Sequence, residues 1–106
     1  MSVAILGLSA CGINTTEELQ DYKWNIVSTN GESYTGEFGK STVTFNTGNL
    51  SRGFSYNIED NEIYLEEGNT EPFGFRIEKD GDEYNFKAQS VGVKEQYGDL
   101  TLSPSK

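Results

Sequence analysis

The sequence predicts an all-β domain, a small antiparallel meander barrel of about eight strands. Aromatic residues are plentiful, with six Phe, six Tyr and one Trp among 106 residues, and flat rings pack well on the half-buried surface of a sheet. From Tyr22 onward, short segments alternate apolar and polar residues, and turn residues separate them at the spacing typical of all-β folds. No segment after Tyr22 has the length of a helix that could cover a sheet.

The first three strands are predicted before residue 50. Each is followed by turn residues, of which Asn30-Gly31 is the strongest short hairpin signal and Gly39-Lys40 the next. Short turns of this kind make consecutive strands antiparallel neighbours. The positions that share one face of these strands are Tyr22, Trp24, Ile26, Tyr34, Gly36, Phe38, Val43 and Phe45.

The remaining strands follow the same pattern. A fourth runs from Arg52 to Ile58, and Asp80-Gly81 predicts a second hairpin turn between the sixth and seventh. Residues 89–98 lose the alternation and are expected to form a loop or one irregular turn before a short last strand. The positions predicted to share a face are Phe54, Tyr56, Ile58, Ile63, Leu65, Phe73, Phe75, Ile77, Tyr84, Phe86, Ala88, Leu100 and Leu102.

Closure of the sheet is the natural solution for this chain, because an open sheet would leave its edges and one face exposed. A sandwich is the alternative, but its long crossovers need longer loops than the sequence offers. An eight-stranded barrel is either filled by side chains or holds one small ligand. The rings available favour a filled interior, with a partial cavity or mouth pocket as the alternative: Trp24, Tyr34, Phe38, Phe45, Phe54, Tyr56, Phe75 and Phe86.

The N-terminus predicts export. Residues 2–8 are apolar, small residues follow, and the composition then turns polar at Asn14, which is the pattern of a cleaved secretory leader. The order Leu8-Ser9-Ala10-Cys11 resembles the lipobox of bacterial lipoproteins, in which a diacylglyceryl group is attached to the cysteine. The alternative is a buried first strand that ends in a core cysteine.

Three regions follow from this interpretation. Residues 1–10 are a lipoprotein signal segment, residues 11–21 a lipidated tether with a possible helical turn at Glu17-Glu18-Leu19, and residues 22–106 the barrel. The apolar run is short and no Lys or Arg precedes it, so we expect the segment to be truncated. Two acyl chains on Cys11 would hold the domain firmly at the membrane.

Charge and composition exclude several functions. Seventeen acidic against eight basic residues give a net charge of −9, which is the opposite of a nucleic-acid footprint. The chain has no His, and Cys11 is its only cysteine, so neither Ser-His nor Cys-His catalysis nor a His- or Cys-ligated metal is available. We expect no enzyme activity and no cofactor beyond the covalent lipid.

Few side chains stand out as candidates for binding. Arg52 and Arg76, the two arginines, each lie beside Phe residues and could clamp an anionic group, although pairing with surface Glu is the plainer alternative. Tyr64 and Tyr97 are candidate exposed rings for recognition. The acidic turns at residues 59–62 and 80–83 offer oxygen ligands for calcium, but hairpin turns select the same residue types.

The lipobox, Trp24-Asn25-Ile26-Val27 and the aromatic hairpins together resemble small surface lipoproteins of Gram-positive bacteria, in which a short tether carries a lipocalin-like or similar small barrel. The resemblance implies a position on the extracytoplasmic face of the cell membrane, and we expect the protein to be a monomer. One expected role is a non-catalytic module that binds an envelope protein or a small ligand. The other is an accessory or protective lipoprotein, for example a phage-encoded exclusion factor, that acts on a neighbouring membrane protein. A wide internal pocket would favour the first role, and a filled barrel with an exposed apolar or acidic patch would favour the second.

Overall fold

The computed structural model describes residues 15–105 and confirms the predicted class, an eight-stranded closed antiparallel barrel with meander topology. Each strand pairs with its neighbours in sequence, and β1 pairs with β8 to close the sheet. The strands are β1 (Lys23–Ser28), β2 (Ser33–Phe38), β3 (Thr42–Thr47), β4 (Leu50–Glu59), β5 (Glu62–Glu66), β6 (Phe73–Asp80), β7 (Glu83–Ala88) and β8 (Leu100–Ser105). The predicted signal segment, the lipobox and Cys11 lie outside the described residues.

The two ends of the barrel differ. We call the end formed by residues 29–32, 48–49, 67–72 and 89–99 the mouth, and the opposite end, formed by residues 39–41, 60–61 and 81–82, the base. The described chain enters β1 at the base. Any segment that precedes residue 15 therefore joins the domain at the base, away from the mouth.

Side chains fill most of the interior, as the ring content predicts. Strand alternation sends every second residue inward, and the inward positions of β1, for instance, are buried while their neighbours are exposed. The largest fully buried side chains are Trp24, Tyr84, Phe75, Phe86, Leu19, Ile26, Ile63, Leu65, Leu102 and Val43.

Most of the hairpins use short turns. Gly48-Asn49, Asp60-Asn61 and Gly81-Asp82 each form a two-residue loop between directly paired strand ends. The Asn30-Gly31 hairpin is present, but four residues, 29–32, connect its strands. The Ser28 N–H closes the loop by bonding to the Glu32 carbonyl at 2.8 Å. Gly31 has φ +97° there, a conformation that glycine adopts readily.

Residues 89–98 contain a helix where a loop or irregular turn was expected. Helix α2 (Val91–Tyr97) begins at Ser90, whose side chain accepts a hydrogen bond from the Val93 N–H. The helix has no fully buried residue. Val93 and Tyr97, one turn apart, pack in part against the core, but two apolar positions are too few to give a helical pattern in the sequence. The end of the helix is set by Gly98, which has φ +76° and donates its N–H to Lys94 O.

A helix, α1, covers residues 15–21 and includes the predicted turn at Glu17-Glu18-Leu19. It packs across the base of the barrel, with Leu19 fully buried and its carbonyl accepting a hydrogen bond from Trp24 Nε1 at 2.9 Å. This part of the predicted tether is therefore in contact with the barrel core.

Polar contacts hold α1 on both sides of the base. On one side Glu18 accepts hydrogen bonds from Lys79 Nζ at 2.8 Å and from Tyr84 OH at 2.5 Å, and these bonds, the Lys79 bond first, lower the pKa of the Glu18 carboxyl. On the other side Gln20 Nε2 donates to Gly39 O at 3.0 Å and to Tyr56 OH at 2.9 Å. The helix thus closes the base.

Candidate binding site at the mouth

Five rings form a continuous cluster at the mouth, which we call the mouth cluster: Tyr34, Phe45, Phe54, Phe73 and Tyr97. Neighbouring ring centroids along this chain lie 4.6–5.9 Å apart, within the range of favourable aromatic pairs. Tyr97 of α2 stacks flat on Phe73, with centroids 4.6 Å apart and planes 7° apart. The other four rings come from inward positions of β2, β3, β4 and β6.

The mouth cluster lines a small apolar pocket. Leu65, Phe75 and Leu100 form its floor, and Thr47 and Arg52 contribute polar groups. The cavity measures about 30 Å³, which is room for one or two water molecules. Pockets for drug-sized ligands measure about 300–1,000 Å³, so this one fits only the end of a side chain or a group of similar size.

Arg52 lies at the wall of this pocket, at an inward position of β4 next to the mouth. Its guanidinium carbon is 5.4 Å from the centroid of the Phe54 ring. Its Nη2 and Nε donate to the two carboxylate oxygens of Glu67, at 2.5 and 3.2 Å. This pairing raises the pKa of Arg52 and lowers the pKa of the Glu67 carboxyl.

Polar contacts at the end of α2 hold this helix over the mouth. Ser28, which is buried, donates from Oγ to Tyr97 O at 2.6 Å. Gly98 follows, and a Cβ at this position would lie 2.5 Å from Ser28 Oγ, so only glycine fits against β1. Asp99 accepts a hydrogen bond from the Ala88 N–H at 2.9 Å. These contacts at the end of α2 therefore fix the position of Tyr97.

Tyr34 completes the rim. Its hydroxyl donates to Glu32, and burial, together with this bond, raises its pKa to about 12. The ring is half-buried against Phe45. Tyr34 is therefore a neutral hydrogen-bond donor at physiological pH.

The structure separates the two arginines. Arg76 lies on the outer wall of the barrel, where it pairs with Glu78 at 3.0 Å. It faces an open depression that Glu62, Lys87, Ala88 and Gln89 also line. Arg52 and Arg76 cannot clamp one ligand together.

The other candidates also lie apart. Tyr64 is on the outer wall, where its hydroxyl donates to Glu62, whereas Tyr97 belongs to the mouth. The acidic turns at residues 59–62 and 80–83 serve as hairpin loops at the base. Among residues 15–105, no three carboxylate, Cys or His side chains are grouped so that they could hold a metal ion.

Sequence reasoning missed Glu67 and Phe73 as parts of the site. The sequence does carry a signal for Glu67. Ile63 and Leu65 are successive inward positions of β5, and the next inward position in the same alternation is Glu67. The series continues one residue past the strand and brings the carboxylate to Arg52.

Comparisons with known proteins found no match to the chain among family models, curated proteins or solved structures. Within residues 15–105, neither helix is long and apolar enough to cross a membrane.

Proposed function

We propose that the protein is an extracytoplasmic lipoprotein, anchored through a lipid on Cys11, that binds a protein partner at the mouth of its barrel. The observation that carries the binding role is the mouth cluster with its pocket of about 30 Å³. A cavity of this size is too small for a carrier of small molecules, but it suits a single anchor side chain from a protein surface.

Exposed apolar residues support the same surface. Leu50 at the β3–β4 turn and Val91 at the start of α2 are 67% and 74% exposed, and both lie at the mouth. Large exposed apolar side chains beside an aromatic pocket are typical of an interaction site.

The end at which the chain enters the barrel supports a mouth that faces away from the membrane. The anchor would join the domain at the base, and the four residue steps from Cys11 to residue 15 span at most about 14 Å. The base would then lie close to the membrane and the mouth would face outward. The lipobox and the resemblance to lipoproteins with a lipocalin-like barrel support the anchor.

The filled interior favours the accessory or protective role over a small-molecule carrier. In that more specific form of the proposal, the partner is a neighbouring membrane protein, and the barrel modulates or blocks it as a phage-encoded exclusion factor would. Neither form requires catalysis.

The anchor is tested by comparing wild-type protein with Cys11→Ala in cells. We expect the wild-type protein in the membrane fraction, with an intact mass increased by a diacylglyceryl group, because two acyl chains dissociate negligibly. The variant should be recovered without this mass and outside the membrane fraction. An unmodified wild-type product that fractionates like the variant would refute the anchor.

The binding surface is tested with a photo-crosslinking amino acid at one exposed position of the full chain. At Leu50 we expect an adduct of one discrete mass on intact cells, lost when Tyr97→Ala removes the ring that stacks on Phe73. Lys40, exposed at the base, is the matched control position and should give no such adduct. Equal adducts at Lys40, or an adduct at Leu50 that Tyr97→Ala leaves unchanged, would refute binding through the mouth.

A further inference from the structure

The side chain of Arg52 occupies the mouth pocket, where it contacts an aromatic ring and a carboxylate. Its guanidinium lies over Phe54 at 5.4 Å, which is within the range of a cation–π contact. Two nitrogens of its planar guanidinium donate hydrogen bonds to the two carboxylate oxygens of Glu67. This is the usual bidentate geometry of an arginine–carboxylate pair. The aromatic wall and the carboxylate together therefore already bind one guanidinium.

We propose that the mouth pocket is a cation site that receives an Arg or Lys side chain of the protein partner, with Arg52 as an internal competitor. The inference rests on the proposed function, since it names the chemistry of the partner at the same surface. The incoming cation replaces Arg52 over Phe54 and at Glu67, and Arg52 swings out to solvent. Arg52 is half-exposed at its side chain, so it can leave without breaking the core.

The charge of the mouth complements such a partner. The mouth together with the strand residues that flank it, taken as residues 28–33, 47–52, 66–73 and 88–100, contains six carboxylates and two cations. Both cations are paired, Arg52 with Glu67 and Lys94 with Asp99. The carboxylates without an ion pair to a described residue are Glu32, Glu66, Glu71 and Glu95. A basic segment would be attracted to this rim, and an acidic one repelled.

The alternative from the sequence, Arg52 as a clamp for an anion, fits the contacts less well. An anion would have to displace the Glu67 carboxylate from both of its bonds to Arg52 and then remain among the unpaired carboxylates of the rim. A cation instead exchanges with Arg52 while Glu67 keeps a partner. The small volume of the pocket agrees with exchange, since the departing guanidinium makes the room that the new one needs.

The test titrates the full chain with three small probes of similar size: butylguanidinium, neutral pentanol and anionic pentanoate. Binding is read from the NMR shifts of the mouth ring protons. Butylguanidinium should shift the mouth cluster, and Arg52→Met should tighten its binding about tenfold if Arg52 leaves the site free for about one-tenth of the time. Glu67→Gln should weaken binding several-fold in the Arg52→Met background, and much less on its own, because alone it also weakens the contact of the competing Arg52.

Arg76→Met is the matched control, because Arg76 is also an exposed arginine that pairs with a glutamate but lies on the outer wall; it should leave the affinity unchanged. Pentanoate binding that Arg52→Met abolishes would overturn the inference and identify an anion clamp. Pentanol binding as tight as butylguanidinium, insensitive to Arg52→Met, would overturn the cation preference but leave the mouth as an interaction site. Binding of none of the three probes would contradict both the cation site and the proposed function of the mouth.

Discussion

Replacing Trp24 with Ala is expected to lower the free energy of unfolding by about 3–5 kcal/mol, the usual cost of removing a buried Trp or Phe side chain. Trp24 is fully buried, packs edge-on against Tyr84 with centroids 5.6 Å apart and donates to Leu19 O. Domains of this size are stable by about 5–15 kcal/mol, so the loss is a large fraction of the total. Urea denaturation followed by far-UV circular dichroism measures it, and the melting temperature should fall by at least about 12 °C.

Two further variants separate the contributions at Trp24. Trp24→Phe keeps a ring but removes the N–H, which leaves the Leu19 carbonyl without that donor, and should cost about 1–3 kcal/mol. Val27→Ala is the control on the same strand, because Val27 points outward and is 55% exposed; its cost should stay below about 1 kcal/mol. If Trp24→Ala were no more destabilising than Val27→Ala, Trp24 would not be part of the core described above.

The strands could be predicted from the sequence because each carries its own signal. The inward series Phe54, Tyr56 and Ile58 and the turn at residues 80–82 depend only on nearby residues, and closure follows from the need to cover edges. The helices were less predictable from the sequence than the strands. Helix α2 begins at a local cap, Ser90, but it is held in place by the fit of Gly98 against Ser28 and by the stacking of Tyr97 on Phe73, and these two contacts join distant parts of the chain.

The site was predictable only in part for the same reason. The sequence identified Arg52 and Tyr97 separately, since an arginine in an acidic chain and an unassigned aromatic residue both stand out. It did not place them at one end of the barrel, because that depends on the direction in which each strand runs. It also proposed both Arg52 and Arg76 as clamps for an anionic group, although β4 sends Arg52 inward and β6 sends Arg76 outward.

Leu19→Ala is expected to destabilise the domain by about 2–5 kcal/mol, because Leu19 is a fully buried side chain that closes the base of the barrel. The same substitution should shift the fluorescence of Trp24, the one tryptophan of the chain, to longer wavelength, since the opened base lets water reach the indole. Urea denaturation and the emission maximum are measured on the same samples.

Glu17→Ala is the matched control in the same helix, because Glu17 is exposed, and it should change neither stability nor emission appreciably. If Leu19→Ala behaved like Glu17→Ala, residues 15–21 would be a spacer, as the polar composition before Tyr22 suggests. If Leu19→Ala is destabilising, α1 belongs to the folded domain, because a side chain in a free spacer contributes little to the stability of the barrel. The four residue steps between a lipidated Cys11 and the fold then span at most about 14 Å, which would hold the base near the bilayer and leave the mouth as the surface that a partner can reach.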